Sequence, residues 1–559
     1  HTAYRRQRQM CIRDRYLDSV YHHGMADLTD TDPFYEDDFL RRLYQRLKYT
    51  RFIIVNHAFL IQHADLLGDN FHQPYLVVDE AQHLADYALK TQRQKFDFQV
   101  SLSTSRRLME LLDPENEYGL TAATDGLTLN DDLNTFYRWL IEFSRQLRAL
   151  SDYLTNHFKA QFGGKFTKPY KEIVISEDDW VGFLTQREGL FEQLDILVGK
   201  FQDRLAKITD SFYKQSNRWL KSDEELFLRF SHAVNAITDA WDTLSAIRQA
   251  PKHEEAGTGS YLYWLTISND LSHIMVASNL MTVEGFLSQQ IYSHFQAPMF
   301  TGATLFSSNR SQYLYDQLDL DRAAVKMRRL KSDFDFAAQA KMYISNDAPD
   351  IKDEDAYNQY VSHTLIQALS QVNRPTLVLF NSLAAIEAVY ERLTDAIHPK
   401  QRLILAQGIS GSKEKLIKRF MDEDNAVLLG AASFWEGIDL PQDKLQLLVI
   451  ARLPFDSPDQ LETKVQYERM KAKGKNPFYN LSLPKATLRL RQGVGRLIRT
   501  RQDYGAVIVL DSRLVSRHYG QTILKTLPAS LPTMTGTVPQ LLSDMTKFFK
   551  KHKSISHDS

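Results

Sequence analysis

The 559-residue sequence contains a single cysteine, Cys11. One thiol rules out an internal disulfide, and it rules out any four-cysteine zinc or iron–sulfur site within this chain. A chain without disulfides fits the reducing cytosol, so a cytoplasmic location is expected. No apolar run approaches the ~18 residues that a membrane-spanning helix needs. The start, HTAYRRQRQMCIRDR, has no apolar core and so does not read as a secretory signal. Charge of one sign is also missing. The formal net charge is −1, so any nucleic-acid surface must be a local basic patch rather than a global field. The pattern G-x-x-x-x-G-K-[ST] does not occur. The pairs Gly164-Lys165, Gly199-Lys200 and Gly474-Lys475 are followed by Phe166, Phe201 and Asn476.

What is present is ordinary for a globular protein, at 43% hydrophobic and 25% charged residues. The length is too great for one core, so several domains are expected. Apolar runs FIIV (52–55) and YLVV (75–78) read as short buried strands. A second set follows later: PMF before TGATL, then TLVLF (376–380), LILA (403–406), AVLLG (426–430), LQLLVI (445–450) and AVIVL (506–510). Helical patterns at 383–397 and 412–424 separate several of these, and such alternation predicts a parallel α/β sheet. Between about 90 and 290 the texture differs. Apolar residues recur every three or four positions at 131–158 and 190–208, the mark of amphipathic helices. Trp139, Trp180, Trp219, Trp241 and Trp264 lie in that region. They read as core, with base stacking along a single-strand path as the alternative. PDIKDEDA (349–356) reads as a linker and the basic tail KFFKKHKSISHDS as a frayed end.

Four short stretches carry chemistry. Asp79 and Glu80 end an apolar run, where open α/β sheets bind ligands. One carboxylate can hold Mg²⁺ through its waters and the other can deprotonate a water. A strand-end acid can equally do no more than cap the next helix. TGATL (301–305) by itself is a flexible turn. In the FWEGIDLP box (434–441), Gly437 permits close backbone approach and Glu436 and Asp439 supply acids. In QGVGRLIRT (492–500), a helix would bring Gln492, Arg496 and Arg499 onto neighbouring turns, with the arginines as bidentate forks for phosphate. Two glycines inside such a helix, at about 1 kcal/mol each relative to alanine, argue against a plain surface helix.

Together with VNHAFL (55–60) and DSRLVSRHYG (511–520), these stretches resemble the motif series of superfamily 2 helicases, and most closely the DinG branch, which is akin to XPD. The resemblance runs from about Tyr16 to the end and departs in one place, where the family's DEAH reads DEAQ. Little change is expected from that difference. The resemblance implies RecA-like parallel-sheet motor lobes, the first incomplete, with a large all-helical arch-like insertion. It implies ATP and Mg²⁺ as cofactors, and single-stranded or forked DNA as the partner of a monomeric 5′→3′ helicase. Asp79 then corresponds to the Mg²⁺-side acid and Glu80 to the catalytic base. Thr301 and Thr304 correspond to the segment coupling the ATP and nucleic-acid sites. Glu436, Gly437 and Asp439 correspond to an ATP-side loop, Gln492 to a γ-phosphate sensor, and Arg496 and Arg499 to arginine fingers. The implied layout is a lobe 1 remnant at 16–89, the arch-like insertion at 90–290, a return to lobe 1 at 291–325, lobe 2 at 326–550 and a tail at 551–559.

In this family the phosphate cradle precedes DEAH. MCIRDR resembles a translated sequencing-library adapter, so residues 1–15 are read as an artefact and the cradle as cut away; a real basic arm is the alternative. As it stands, the chain is expected not to hydrolyse ATP. Two further readings stay open: a nucleic-acid clamp that lost hydrolysis, and an RNA helicase of the same superfamily.

Overall fold

The computed structural model describes residues 39–47, 49–71, 74–124, 128–162, 169–214, 219–257, 259–305, 312–330, 334–398, 400–435, 444–458 and 460–555. Thirteen strands follow one another among them: β1 (Val77–Val78), β2 (Gln94–Asp97), β3 (Tyr170–Ile175), β4 (Ser260–Ser268), β5 (Ile274–Thr282), β6 (Met299–Phe300), β7 (Ala340–Ser345), β8 (Thr376–Leu379), β9 (Ile404–Ala406), β10 (Val427–Gly430), β11 (Leu447–Ile450), β12 (Gly505–Val509) and β13 (Thr533–Gly536). Contacts divide the chain into two compact units. The first is His1–Leu76 with Leu84–Pro298, and the second is Val77–His83 with Met299–Ser559. This division cuts through the expected lobe 1 remnant, because the DEAQH segment groups with everything after residue 299.

The first unit is rich in helix, with α1 (Phe98–Leu112), α2 (Thr128–Phe158), α3 (Glu188–Lys214) and α4 (Lys221–Glu255). Along α2, Leu133, Phe136, Leu140, Phe143, Leu147, Leu150, Leu154 and Phe158 are all buried, so the three-and-four spacing read from the sequence is the core-facing stripe. Phe136 meets Phe201 of α3 at 4.8 Å and Phe230 of α4 at 5.3 Å, locking the three helices together. Trp180, Trp241 and Trp264 are buried, which favours the core reading for them over a stacking path.

The insertion is not all helix. An antiparallel sheet in the order β2-β5-β4-β3 runs through it. SYLYWLTIS and IMVASNLMT are covered on both faces, so neither shows the alternation that would mark a strand. Leu271, at φ 58°, turns the chain between them. Gln94 of β2 pairs with Ser278 of β5, so the start and end of the 90–290 region lie side by side.

The second unit is built on a seven-stranded sheet in the order β13-β7-β12-β11-β8-β10-β9, with every pair parallel. Four of its inner strands, β8, β10, β11 and β12, are buried on both faces, and this is why their sequences are apolar runs. One face packs Leu377, Leu428, Leu448 and Val507, and the other Val378, Leu429, Val449 and Ile508. Helix α5 (Glu354–Gln371) and helix α6 (Leu383–Ala396) pack on each other over this sheet. PDIKDEDA therefore does not join domains. It connects β7 to α5 inside one unit, and Asp353 caps α5 by accepting from Ala356 N at 3.1 Å.

FIIV forms no strand. Phe52 and Ile54 are exposed, and among the described residues no other segment supplies the run with a hydrogen-bonding ladder. Of YLVV only Val77 and Val78 are strand, paired in parallel with Met299 and Phe300.

Candidate functional site

The β1–β6 pair fixes two of the motifs. Thr301 N donates to Val78 O at 2.8 Å and Ala81 N donates to Thr301 O at 3.0 Å, so DEAQH and TGATL leave their strands together. Asp79 and Glu80 are both exposed at this end. Glu80 has φ 47°, a left-handed conformation that is strained for a residue with a side chain, and its N–H donates to Asp79 Oδ1 at 2.9 Å.

Gln82 stands in the slot where the resemblance expects histidine. Its amide donates to the Glu80 carboxylate. Its Oε1 is buried with no partner among the described residues, 2.6 Å from where a Cβ on Gly302 would lie. Thr304 is buried too, and its hydroxyl also has no partner among the described residues. Thr301 is exposed and contributes its backbone.

Helix α7 (Leu461–Ala472) and helix α8 (Leu483–Gly495) lie between β11 and β12. From α8, Gln492 Nε2 lies 2.9 Å from His83 Nε2, joining QGVGRLIRT to DEAQH. Arg491 extends toward Ala303 O, at 3.5 Å, and burial together with nearby Arg329 lowers its pKa. The base of α8 is clamped by Asp456, which pairs with Lys485 and Arg489. Burial alone would raise the Asp456 pKa, but the two cations outweigh it and hold the carboxyl below its ordinary range.

The expected helix does not continue through both arginines. It ends at Gly495, with Arg496 as its C-cap. Gly493 lies inside it where a Cβ would sit 3.4 Å from the Trp435 ring, so this glycine serves close packing. Arg496 Nη1 donates to Phe434 O at 2.7 Å, at the entrance to the FWEGIDLP box. Arg499 sits in a turn organised by buried Asp503, which accepts from Arg499 N at 2.7 Å, Thr500 N at 2.8 Å and Thr500 Oγ1 at 2.9 Å. Asp503→Ala is expected to lower the stability of this unit by about 1–3 kcal/mol, because it leaves buried donors unmatched. A urea titration unchanged within a few tenths of a kcal/mol would count against this role. Glu436, Gly437 and Asp439 lie outside the described residues.

At the carboxyl edge of the sheet, Trp435 Nε1 donates to Phe380 O at 3.0 Å and Asn381 Nδ2 to Leu453 O at 2.7 Å. Asp511, fully buried, accepts from Leu453 N at 2.9 Å and from both Nε and Nη2 of Arg513 at 2.9 and 2.6 Å. The reading from sequence missed His83, Arg491 and Asp503. It placed Asp511 and Arg513 in the closing motif without a role, although an aspartate directly after the run AVIVL was the available signal. A cavity of about 780 Å³ lies at the opposite edge, where β7 and β12 begin, and none of these motif residues except Asp503 lines it.

Residues 365–530 match the family described as Helicase C-terminal domain. The chain is 35% identical over 248 residues to the 3′-5′ exonuclease DinG of Bacillus subtilis, across 44% of this chain and 26% of that protein. It is 30% identical over 309 residues to the ATP-dependent DNA helicase YoaA of Haemophilus influenzae, across 55% of this chain and 47% of that one. The matched stretches thus span less than half the length of these two relatives. A solved XPD helicase structure superposes over 90% of this chain and 76% of its own, with a TM-score of 0.49 at 16% identity. By its sequence matches, this chain is similar to proteins named DinG and YoaA, and its residues 365–530 to a helicase C-terminal domain.

Proposed function

We propose that this chain is the part of an ATP-dependent DNA helicase that carries its acidic, coupling and arginine motifs, and that its work is translocation on single-stranded DNA. The observation that carries this reading is the meeting of three motifs in one unit: DEAQH bonded to TGATL through Ala81 and Thr301, and to α8 through His83 and Gln492. Residues 409 positions apart in sequence come together at hydrogen-bonding distance. A change at one motif therefore reaches the others without leaving this unit.

The donor set fits a hydrated Mg²⁺ with ATP. Asp79 and Glu80 are adjacent exposed carboxylates, and the nearby segment leaves Thr304 Oγ1 and Gln82 Oε1 unmatched. Asp79 would hold the ion through its waters, and the ion would neutralise charge on the phosphates. Glu80 orients the attacking water and takes its proton. The Gln82 amide must leave the Glu80 carboxylate for that to happen. Gln492 reports the γ-phosphate to α8, while Arg496 and Arg499 meet the charge that develops on it. Thr301 and Thr304 carry the change toward the nucleic acid, and Glu436, Gly437 and Asp439 supply the ATP-side loop. The relatives' names support DNA over RNA, and 5′→3′ travel is part of the proposal.

The chain contains no G-x-x-x-x-G-K-[ST] cradle, so on its own it is expected to bind single-stranded DNA in a salt-sensitive way and not to hydrolyse ATP. Anisotropy with a labelled oligonucleotide and a coupled phosphate-release assay test both parts. DNA-stimulated turnover by this chain alone would overturn the account of the missing cradle. Tighter binding to RNA than to DNA of the same sequence would overturn the substrate.

A further inference from the structure

We propose that the turn after α7 and the tyrosine beyond it form a contact surface for single-stranded nucleic acid. In it Lys471, Lys473 and Lys475 hold backbone phosphates and Tyr479 stacks on a base. The inference rests on the nucleic-acid reading above and names where one strand is held.

Helix α7 has no buried residue, so the core does not explain why it is there. Its C-terminal turn is closed by three backbone hydrogen bonds. Lys473 N donates to Arg469 O at 3.1 Å, Gly474 N to Lys471 O at 2.9 Å and Lys475 N to Met470 O at 2.9 Å. Gly474 makes this possible at φ 71°, a conformation that suits glycine. Three lysines in five positions are thereby presented to solvent, and no ion pair among the described residues engages any of them. In a chain of net charge −1, a dense local cluster is the form a phosphate-binding surface has to take.

The tyrosine is held beside them. Asn476 Oδ1 accepts from Phe478 N at 3.0 Å and Tyr479 N at 3.3 Å. Phe478 is anchored against Phe455 and Tyr519, at 5.7 and 5.1 Å. Tyr479 touches Phe478 edge-on at 5.3 Å and is 60% exposed. A base needs such an aromatic surface to stack, with cations close by for the phosphates. Lysines at a helix C-terminus also complement its dipole, but that does not account for Tyr479 or for lysines beyond the last helical turn. The surface is also tied to the motif helix, since Tyr467 of α7 hydrogen-bonds Ser482, the residue that precedes α8.

The test is anisotropy of a labelled oligothymidylate with the full chain across a salt series. Lys471→Ala/Lys473→Ala/Lys475→Ala should reduce the magnitude of the slope of log K against log salt by about 2, at roughly 0.7 for each phosphate no longer neutralised. Tyr479→Ala should weaken binding roughly 5- to 150-fold at fixed salt, and Tyr479→Phe should restore it. If the triple variant melts earlier but keeps the wild-type slope, the lysines only hold the helix and the proposal falls. Equal affinity for Tyr479→Ala and wild type overturns the stacking half. Wild-type chain that binds no single strand at low salt overturns the helicase reading as well. Normal wild-type binding with unaltered variants overturns this surface alone.

Discussion

Arg402→Ala should destabilise the sheet-bearing unit by roughly 3–5 kcal/mol, a very large effect for one side chain far from any motif. Arg402 is 5% exposed, and none of its hydrogen-bond partners is a carboxylate. Instead the guanidinium gathers orphaned acceptors. Nε donates to Asn425 O at 2.7 Å, and Nη1 to Leu369 O and Val372 O at 3.0 and 2.9 Å. Nη2 donates to Arg374 O and to Thr376 Oγ1. Two of these carbonyls belong to the end of α5, where the last turn has no helical partners and a cation is favoured. Burial pushes the Arg402 guanidinium down to about 10, so it remains charged at neutral pH. Alanine would leave several buried carbonyls unmatched and a hole beside the start of β8. Arg402→Lys should recover little, because a single ammonium cannot reach acceptors that a planar fork spans. Chemical unfolding followed by circular dichroism reads the change. A loss under 1 kcal/mol would mean that water satisfies these carbonyls as well as the arginine does.

How far this fold could be read in advance depended on how each strand is covered. TLVLF, AVLLG, LQLLVI and AVIVL stood out because both faces of an inner parallel strand are buried, and LILA because its strand residues are buried although β9 lies at the sheet edge. AKMYIS hid because Lys341 interrupts it, in a side-chain bond with Asp544 of the C-terminal helix α9 (Val538–Ile555). TMTG hid because an edge strand is half exposed. FIIV misled for the opposite reason, since an apolar run becomes a strand only beside a neighbour. In the candidate site, residue types were legible and their partners were not. Nothing in the order of residues announces that His83 meets Gln492, or that Asp503 accepts from Arg499 and Thr500. The helix end at Gly495 was the one local feature in reach. Glycine lowers helix stability, and here it falls where the chain turns away.

That turn bears on the other large effect. Arg499→Ala should lower DNA-stimulated ATP turnover by about 10³ to 10⁵, roughly 4–7 kcal/mol of transition-state stabilisation, while leaving most nucleotide and DNA binding in place. The assay uses these residues in a protein that also carries a glycine-rich phosphate loop, and it rests on the proposed function. Charge builds on the γ-phosphoryl oxygens as the bond to the leaving group breaks, so a guanidinium held there favours the transition state over bound ATP. Arg499 suits the role because its backbone is fixed while it lies beyond the helix: Asp503 holds the amides of Arg499 and Thr500. Arg496 is held differently, through its own guanidinium on Phe434 O at 2.7 Å. Arg496→Lys should therefore also fail, because one ammonium cannot keep the Phe434 carbonyl and a phosphate oxygen at once. Asp503→Asn keeps one acceptor and should give a smaller loss of turnover than Arg499→Ala, with nucleotide affinity unchanged. If Arg499→Ala and Arg496→Lys both turned over ATP within a few-fold of the parent protein, the assignment of this motif to the γ-phosphate would have to be withdrawn.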